Sequence, residues 1–245
     1  VGLGVMGWHS FLQSQNIPFE GALAKAWNIK MMRLIRNKVD AASRNLALER
    51  GACPDASEVG ILERFSHKLA IAPTASISII AGGTSACIEP VPANIYTHKT
   101  LNGNYEVKNK YLQKILSSKG QDTNDVWQSI LAHEGSVQHL AFLSNDEKDV
   151  FKTAFEIDQR WVIELAADRA HYICQGQSVN LFLPSNIEKW DLLMLHWLAW
   201  ERGLKSLYYC RSKSLQRPEY AGNSKSELSL EKLRNNSYEE CLSCQ

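Results

Sequence analysis

The longest stretch of periodic apolar positions lies between Ala22 and Arg50, where Leu23, Ala26, Trp27, Leu34, Ile35, Ala42 and Leu46 recur near helical spacing. It predicts a long amphipathic helix, closed by Gly51 and Pro54 in the order that ends helices. A second stripe, Val150, Phe151, Ala154, Phe155, Trp161, Val162 and Leu165, follows the capping-box sequence Ser144-Asn145-Asp146-Glu147 and predicts one helix over residues 145–169. Asp191 to Arg202 reads as another helix, closed by Gly203. Trp190, Trp197 and Trp200 fall near helical periodicity on it and are expected in the core rather than as an electron conduit.

Between these helices the texture becomes strand-like. KLAIAPTASISIIAGGTSACIEP, residues 68–90, begins as an apolar run, breaks at Pro73 and continues through small hydroxylated residues to Gly82-Gly83, a strand feeding a loop and a helix start. Asn102-Gly103 between Tyr96–Leu101 and Tyr105–Lys108 predicts a hairpin. Tyr172–Cys174, Val179–Leu183 and Lys205–Cys210 are short strand candidates. Strands alternating with helices argue an α/β architecture.

From Arg211 onward the chain turns polar and charged, with few large apolar residues, which reads as a flexible tail over 212–245 behind a folded region 1–211. The 245 residues carry 27 basic and 26 acidic side chains, a net charge of +1, so no bulk field points to nucleic acid or an anionic membrane. No apolar run is long enough for a membrane-spanning helix. Six cysteines without a secretory leader are expected as reduced thiols in the cytoplasm. Val1 stands inside a Gly-punctuated apolar run, so the chain is expected to be a piece of something longer, from a split gene or a truncated record. An intein-released piece would instead start with Cys, Ser or Thr.

Candidate chemistry gathers at three places. Cys241-Leu242-Ser243-Cys244 reads as a redox dithiol, half of a zinc site or an incidental pair, since the spacing lets the sulfurs meet but zinc would need two further ligands. About thirty residues of flexible chain reach roughly 30 Å, enough to carry the pair into a cleft and back out. The loop Pro73–Ser76 offers hydroxyls and amides at a helix start, which suits an anionic phosphate or an ordinary N-cap. Tyr208 and Tyr209 in SLYYC are adjacent phenols, read either as packed aromatics or as something redox-active. The seven histidines show no convincing pairing, His133 and His139 being too loosely spaced for a helix-face metal pair, and read as structural or surface residues. Cys53, Cys87 and Cys174 are most simply small buried hydrophobes.

Taken in order, APTAS, GGTSACIEP, NIYTHKTLNG, ICQGQSVNLF, GLKSLYYCRS and the terminal ECLSCQ resemble the C-terminal part of the large (α) subunit of class I ribonucleotide reductase, of the ribonucleoside-diphosphate type. The resemblance runs over essentially the whole chain and covers about the last third of a family α chain.

It implies the C-terminal portion of a ten-stranded α/β barrel followed by the tail, and reduction of ribonucleoside diphosphates to deoxyribonucleotides by thiyl-radical chemistry. Tyr208 and Tyr209 would relay an oxidising equivalent from the metallo-cofactor of a separate β subunit, with no cofactor bound by this chain directly. Cys241 and Cys244 would re-reduce the active-site disulfide and be reset by thioredoxin or glutaredoxin. Thr74, Ala75, Ser76 and Ile77 would hold the substrate diphosphate, although Ile77 stands where many relatives carry a hydroxyl residue, so a backbone N–H would serve there. The thiyl-forming cysteine and the disulfide pair would come from an upstream α segment. Two other readings are a non-catalytic fragment that only docks a reductase subunit, and an unrelated protein with a metal-binding tail.

Overall fold

The computed structural model describes residues 2–100 and 103–212. The tail and its Cys241 and Cys244 lie outside the described residues.

In chain order the described elements are α1 (Trp8–Ser14), α2 (Ala22–Arg50), α3 (Pro54–Glu58), α4 (Ala75–Ile80), β1 (Ile95–Thr100), β2 (Gly103–Lys108), α5 (Lys110–Ser118), α6 (Asn124–Ala132), α7 (Asn145–Val150), α8 (Gln159–Ala170), β3 (Leu181–Leu183), α9 (Lys189–Glu201) and β4 (Cys210–Ser212). The 29-residue α2 has the bounds its periodicity predicts. β1 and β2 form the expected antiparallel hairpin.

The central feature is a set of parallel chain passes. Leu3 bridges Leu69, Ile71 bridges Gln177, and β3 pairs with β4, every one of these pairings parallel. Hydrogen bonds knit them in that order, from Leu3 N–H to Lys68 O (2.9 Å), through Ile71 N–H to Gly176 O (3.1 Å), to Leu181 N–H and Tyr209 O (2.9 Å). Parallel passes require crossover connections, and helices supply them: α1 to α3, then α4 to α8, then α9. Gly4 sits where a Cβ would collide with the Ala70 carbonyl, which explains a glycine in the first pass. Residues 172–174 do not form a strand; the pairing in that region is made by Gln177.

One core, including Leu12, Phe19, Leu69, Ile71, Ile163 and Leu181, lies between the passes and helices α2, α8 and α9. Arg169 of α8, fully buried, donates from Nε to Asn28 Oδ1 of α2 (2.8 Å), and Asn28 Nδ2 donates to Leu165 O (2.8 Å), tying the two helices through polar groups that burial requires to be paired. A second core joins the hairpin to α5–α7 around Leu112, Leu116, Trp127 and Ile130.

The single helix expected over 145–169 is two helices. The capping box forms as expected, with Ser144 Oγ accepting from Glu147 N–H (3.2 Å) and Glu147 Oε2 accepting from Ser144 N–H (2.8 Å). The chain leaves the helix at Phe151, and its amides find other partners: Thr153 N–H reaches Glu156 Oε2 (2.7 Å), Ala154 N–H reaches Val91 O (2.7 Å) and Asp158 N–H reaches Glu20 Oε1 (2.6 Å). Asp158 then caps α8. The apolar stripe is continuous in sequence but serves two cores, Val150 and Phe151 the second and Val162 and Leu165 the first.

Two further expectations, on the tryptophans and the cysteines, are corrected. Trp190, Trp197 and Trp200 are 68%, 53% and 69% exposed, because α9 buries Leu192, Leu195, Leu198 and Ala199 against the first core and turns its other face outward. His133 and His139 are surface residues as expected, and the turn after α6 adds a contact that spacing did not suggest, their rings stacked 3.7 Å apart at 12°. Cys174 is not an inert buried thiol: it is partly exposed, and its Sγ accepts N–H bonds from Lys68 (3.0 Å) and Leu69 (3.1 Å). Cys53 is likewise partly exposed, whereas Cys87 is buried as expected.

Candidate functional site

The loop that follows the second parallel pass turns at Thr74, in left-handed backbone conformation (φ 51°) that is a genuine outlier for a β-branched residue. Its hydroxyl does not cap α4, as an ordinary N-cap would. Thr74 Oγ1 instead accepts the N–H of Cys87 (2.8 Å), itself left-handed at φ 38°. The first intrahelical bond of α4 runs from Ser78 N–H to Thr74 O (2.9 Å). Ala75, Ser76 and Ile77 therefore occupy the first turn, where amides lack helical acceptors, and their side chains are exposed.

Tyr208 and Tyr209 stand immediately before β4 rather than inside a regular strand. In regular parallel pairing, one residue of the strand would both donate to Val179 O and accept from Leu181 N–H. Here the two bonds fall on different residues: Tyr208 N–H donates to Val179 O (2.8 Å), and Tyr209 O accepts from Leu181 N–H (2.9 Å). Two residues oppose Asn180, which is a β-bulge. The extra residue breaks the alternation of side-chain faces, and the two rings meet with centroids 4.2 Å apart at 48°. Both remain partly solvent-exposed.

Beside these elements opens a cavity of about 600 Å³, lined among others by Ser78, Glu89, Asn94, Tyr96, Phe182 and Arg211. Ala75 touches it, whereas Thr74, Ser76, Ile77 and the two tyrosines do not. Burial raises the Glu89 carboxyl above its usual range, against the opposing pull of Arg211 and of the Asn180 amide. Burial pushes the neighbouring Cys87 thiol up to about 12. Glu89 and Asn180 lie inside the motifs GGTSACIEP and ICQGQSVNLF but carry no assignment from sequence; a lone Asn within the apolar run Val179–Leu183 is the available signal.

Among the described residues no group of three or more His, Cys, Asp or Glu side chains could hold a metal ion, and no helix is long and apolar enough to cross a membrane.

Parallel strand passes joined by helices, with a strained loop and a bulged strand side by side, define an α/β domain of barrel type. The chain belongs to the family described as ribonucleotide reductase, barrel domain, whose profile matches residues 1–63 and 57–210. It is 48% identical over 219 residues to the ribonucleoside-diphosphate reductase large subunit of Invertebrate iridescent virus 6, covering 88% of this chain and 23% of that protein. A putative ribonucleoside-diphosphate reductase large subunit of Frog virus 3 is 41% identical over 245 residues, 100% of this chain and 42% of that one. Among solved structures, the Actinobacillus ureae class Id ribonucleotide reductase alpha subunit superposes with a TM-score of 0.81 at 42% identity, over 87% of this chain and 39% of that chain. The chain thus spans well under half the length of these relatives.

Proposed function

We propose that this chain is the C-terminal portion of a ten-stranded reductase barrel and works in ribonucleoside-diphosphate reduction once assembled with an upstream α segment and a β subunit. The observation that carries the reading is the ring contact of Tyr208 and Tyr209, within the region matched to the family. Each phenol can lose an electron together with its acidic proton, so two phenols in contact suit stepwise transfer of an oxidising equivalent toward a cysteine on the upstream segment. The oxidising equivalent originates in β.

At the substrate, the radical initiates loss of the ribose 2′-hydroxyl as water, and two thiols become a disulfide as they supply the two electrons. The first-turn amides at Ala75, Ser76 and Ile77 would hold the diphosphate, with Ile77 contributing only its backbone. Cys241 and Cys244 would reduce the disulfide by exchange and be restored by thioredoxin or glutaredoxin in the cytoplasm. The chain's share of catalysis is to position substrate, conduct the radical and return reducing equivalents.

The test is co-expression with an upstream α segment from a close relative, followed by a nucleoside-diphosphate reduction assay with β. Activity is expected only in the complete mixture. Assembly into a stable complex with β but no reduction under any pairing would favour the non-catalytic docking role.

A further inference from the structure

We propose that Asn180 and Glu89 are positioning residues, which lock the bulge at Tyr208–Tyr209 to the loop at Thr74 through one chain of polar contacts buried at its centre. The inference rests on reading the tyrosines as the relay and the loop as the diphosphate site.

The chain of contacts is continuous. Tyr209 N–H, which the bulge turns away from the strand ladder, donates to Asn180 Oδ1 (2.9 Å). Asn180 Nδ2 donates to Glu89 Oε1 (2.7 Å). The Cys87 thiol lies 3.9 Å from the same oxygen and 3.6 Å from Ser178 O. The Cys87 N–H completes the path to Thr74 Oγ1 (2.8 Å).

The two links at Asn180 are directional. Asn180 is fully buried, and a backbone N–H can only donate, so its amide oxygen must face Tyr209 and its nitrogen must face Glu89. Asn180 thereby reads both partners at once. A bulged backbone has no ladder acceptor for its extra amide, and an unpaired buried amide is costly. The Asn180 oxygen therefore holds the peptide between the two tyrosines and, with it, the relative direction of their rings. At the other end, left-handed Thr74 and Cys87 are conformations that persist only where the surroundings over-determine them. The bond between them does so, and at its side-chain end the single Cys87 thiol proton lies between two acceptors, Ser178 O at 3.6 Å and Glu89 Oε1 at 3.9 Å.

A substrate that settles on the Thr74 loop would in this arrangement bias the geometry of the tyrosine pair, and disorder at the pair would loosen the loop.

The test uses the chain itself, by residue-resolved amide exchange, and compares Asn180→Asp with the double substitution Asn180→Asp plus Glu89→Gln. The single change keeps an acceptor for Tyr209 but sets two carboxyls against each other. It should accelerate exchange at Tyr209 by at least about tenfold and also accelerate the distant Cys87 amide. The double change swaps donor and acceptor and should return both amides to within about threefold of the original. A Cys87 amide that ignores Asn180→Asp, or a double variant no better protected than the single, would overturn the proposal. If the single variant fails to fold, the double variant alone decides: native-like protection at both amides supports the chain of contacts, and its loss refutes it.

In the assembled enzyme, Asn180→Asp should lower kcat and raise KM for the diphosphate, with recovery of both in the double variant. The two readings fail separately. Intact reduction after Tyr208→Phe would remove the relay while leaving the exchange result standing, and unchanged exchange would remove the coupling while leaving the relay.

Discussion

The rings of Tyr208 and Tyr209 lie 4.2 Å apart although the residues are consecutive, because a bulge opposite Asn180 places two residues where the partner strand has one. Substituting either tyrosine by Phe keeps the ring and removes the phenolic proton. Reduction by the assembled enzyme should fall by at least about 100-fold, while chain stability stays within about 0.5 kcal/mol. Near-normal turnover by either variant in the nucleoside-diphosphate assay would remove the relay assignment.

Replacing Cys241 or Cys244 by Ser should leave one turnover of prereduced enzyme intact and block cycling driven by thioredoxin. Rapid-quench product counting against steady-state assays separates the two. Undiminished multiple turnover with thioredoxin as sole reductant would exclude the role.

Two cysteines among the described residues should differ sharply in reactivity. Burial acts to raise Cys174, but the amides of Leu69 and Lys68 and the nearby Arg36 outweigh it and hold the thiol below its usual range. Cys87 is buried, and burial together with Glu89 pushes it up to about 12. Iodoacetamide at near-neutral pH should label Cys174 at least about tenfold faster than Cys87, read by peptide mass spectrometry. Equal rates would contradict the amide cradle.

Acid should destabilise the fold through His9. Burial lowers His9 from 6.5 to about 3, and its Nδ1 accepts from Val91 N–H (2.9 Å), a bond that requires the ring nitrogen unprotonated. Between these values the unfolded chain binds a proton that the folded chain refuses. The contribution is therefore fully present above about pH 6.5 and is lost as pH falls toward 3, by up to about 1.4 kcal/mol per pH unit. Urea midpoints measured across that window should drop on acidification, and His9→Asn should show a shallower drop.

The exposed face of α9 should tolerate polar substitution. Trp190→Gln or Trp200→Gln is expected to change chain stability by about 0.5 kcal/mol or less. Trp127→Ala, inside the second core, should cost about 3–5 kcal/mol. Chemical denaturation distinguishes them, and a large loss at Trp190 or Trp200 would mean that this face is covered.

Much of the fold was legible because its determinants are local. The bounds of α2, the Ser144–Glu147 cap and the hairpin follow from side-chain period, a reciprocal cap and turn chemistry, each acting within a few residues. Motif order placed the chain in its family and marked Tyr208, Tyr209 and the Thr74 loop. Tertiary structure alone decided which core each half of the stripe at 150–165 serves, and which face of α9 is outward. It also decided that the two phenols touch. That contact depends on a hydrogen bond between Asn180 and Tyr209, 29 positions apart, and on a shift in parallel register that no local pattern encodes.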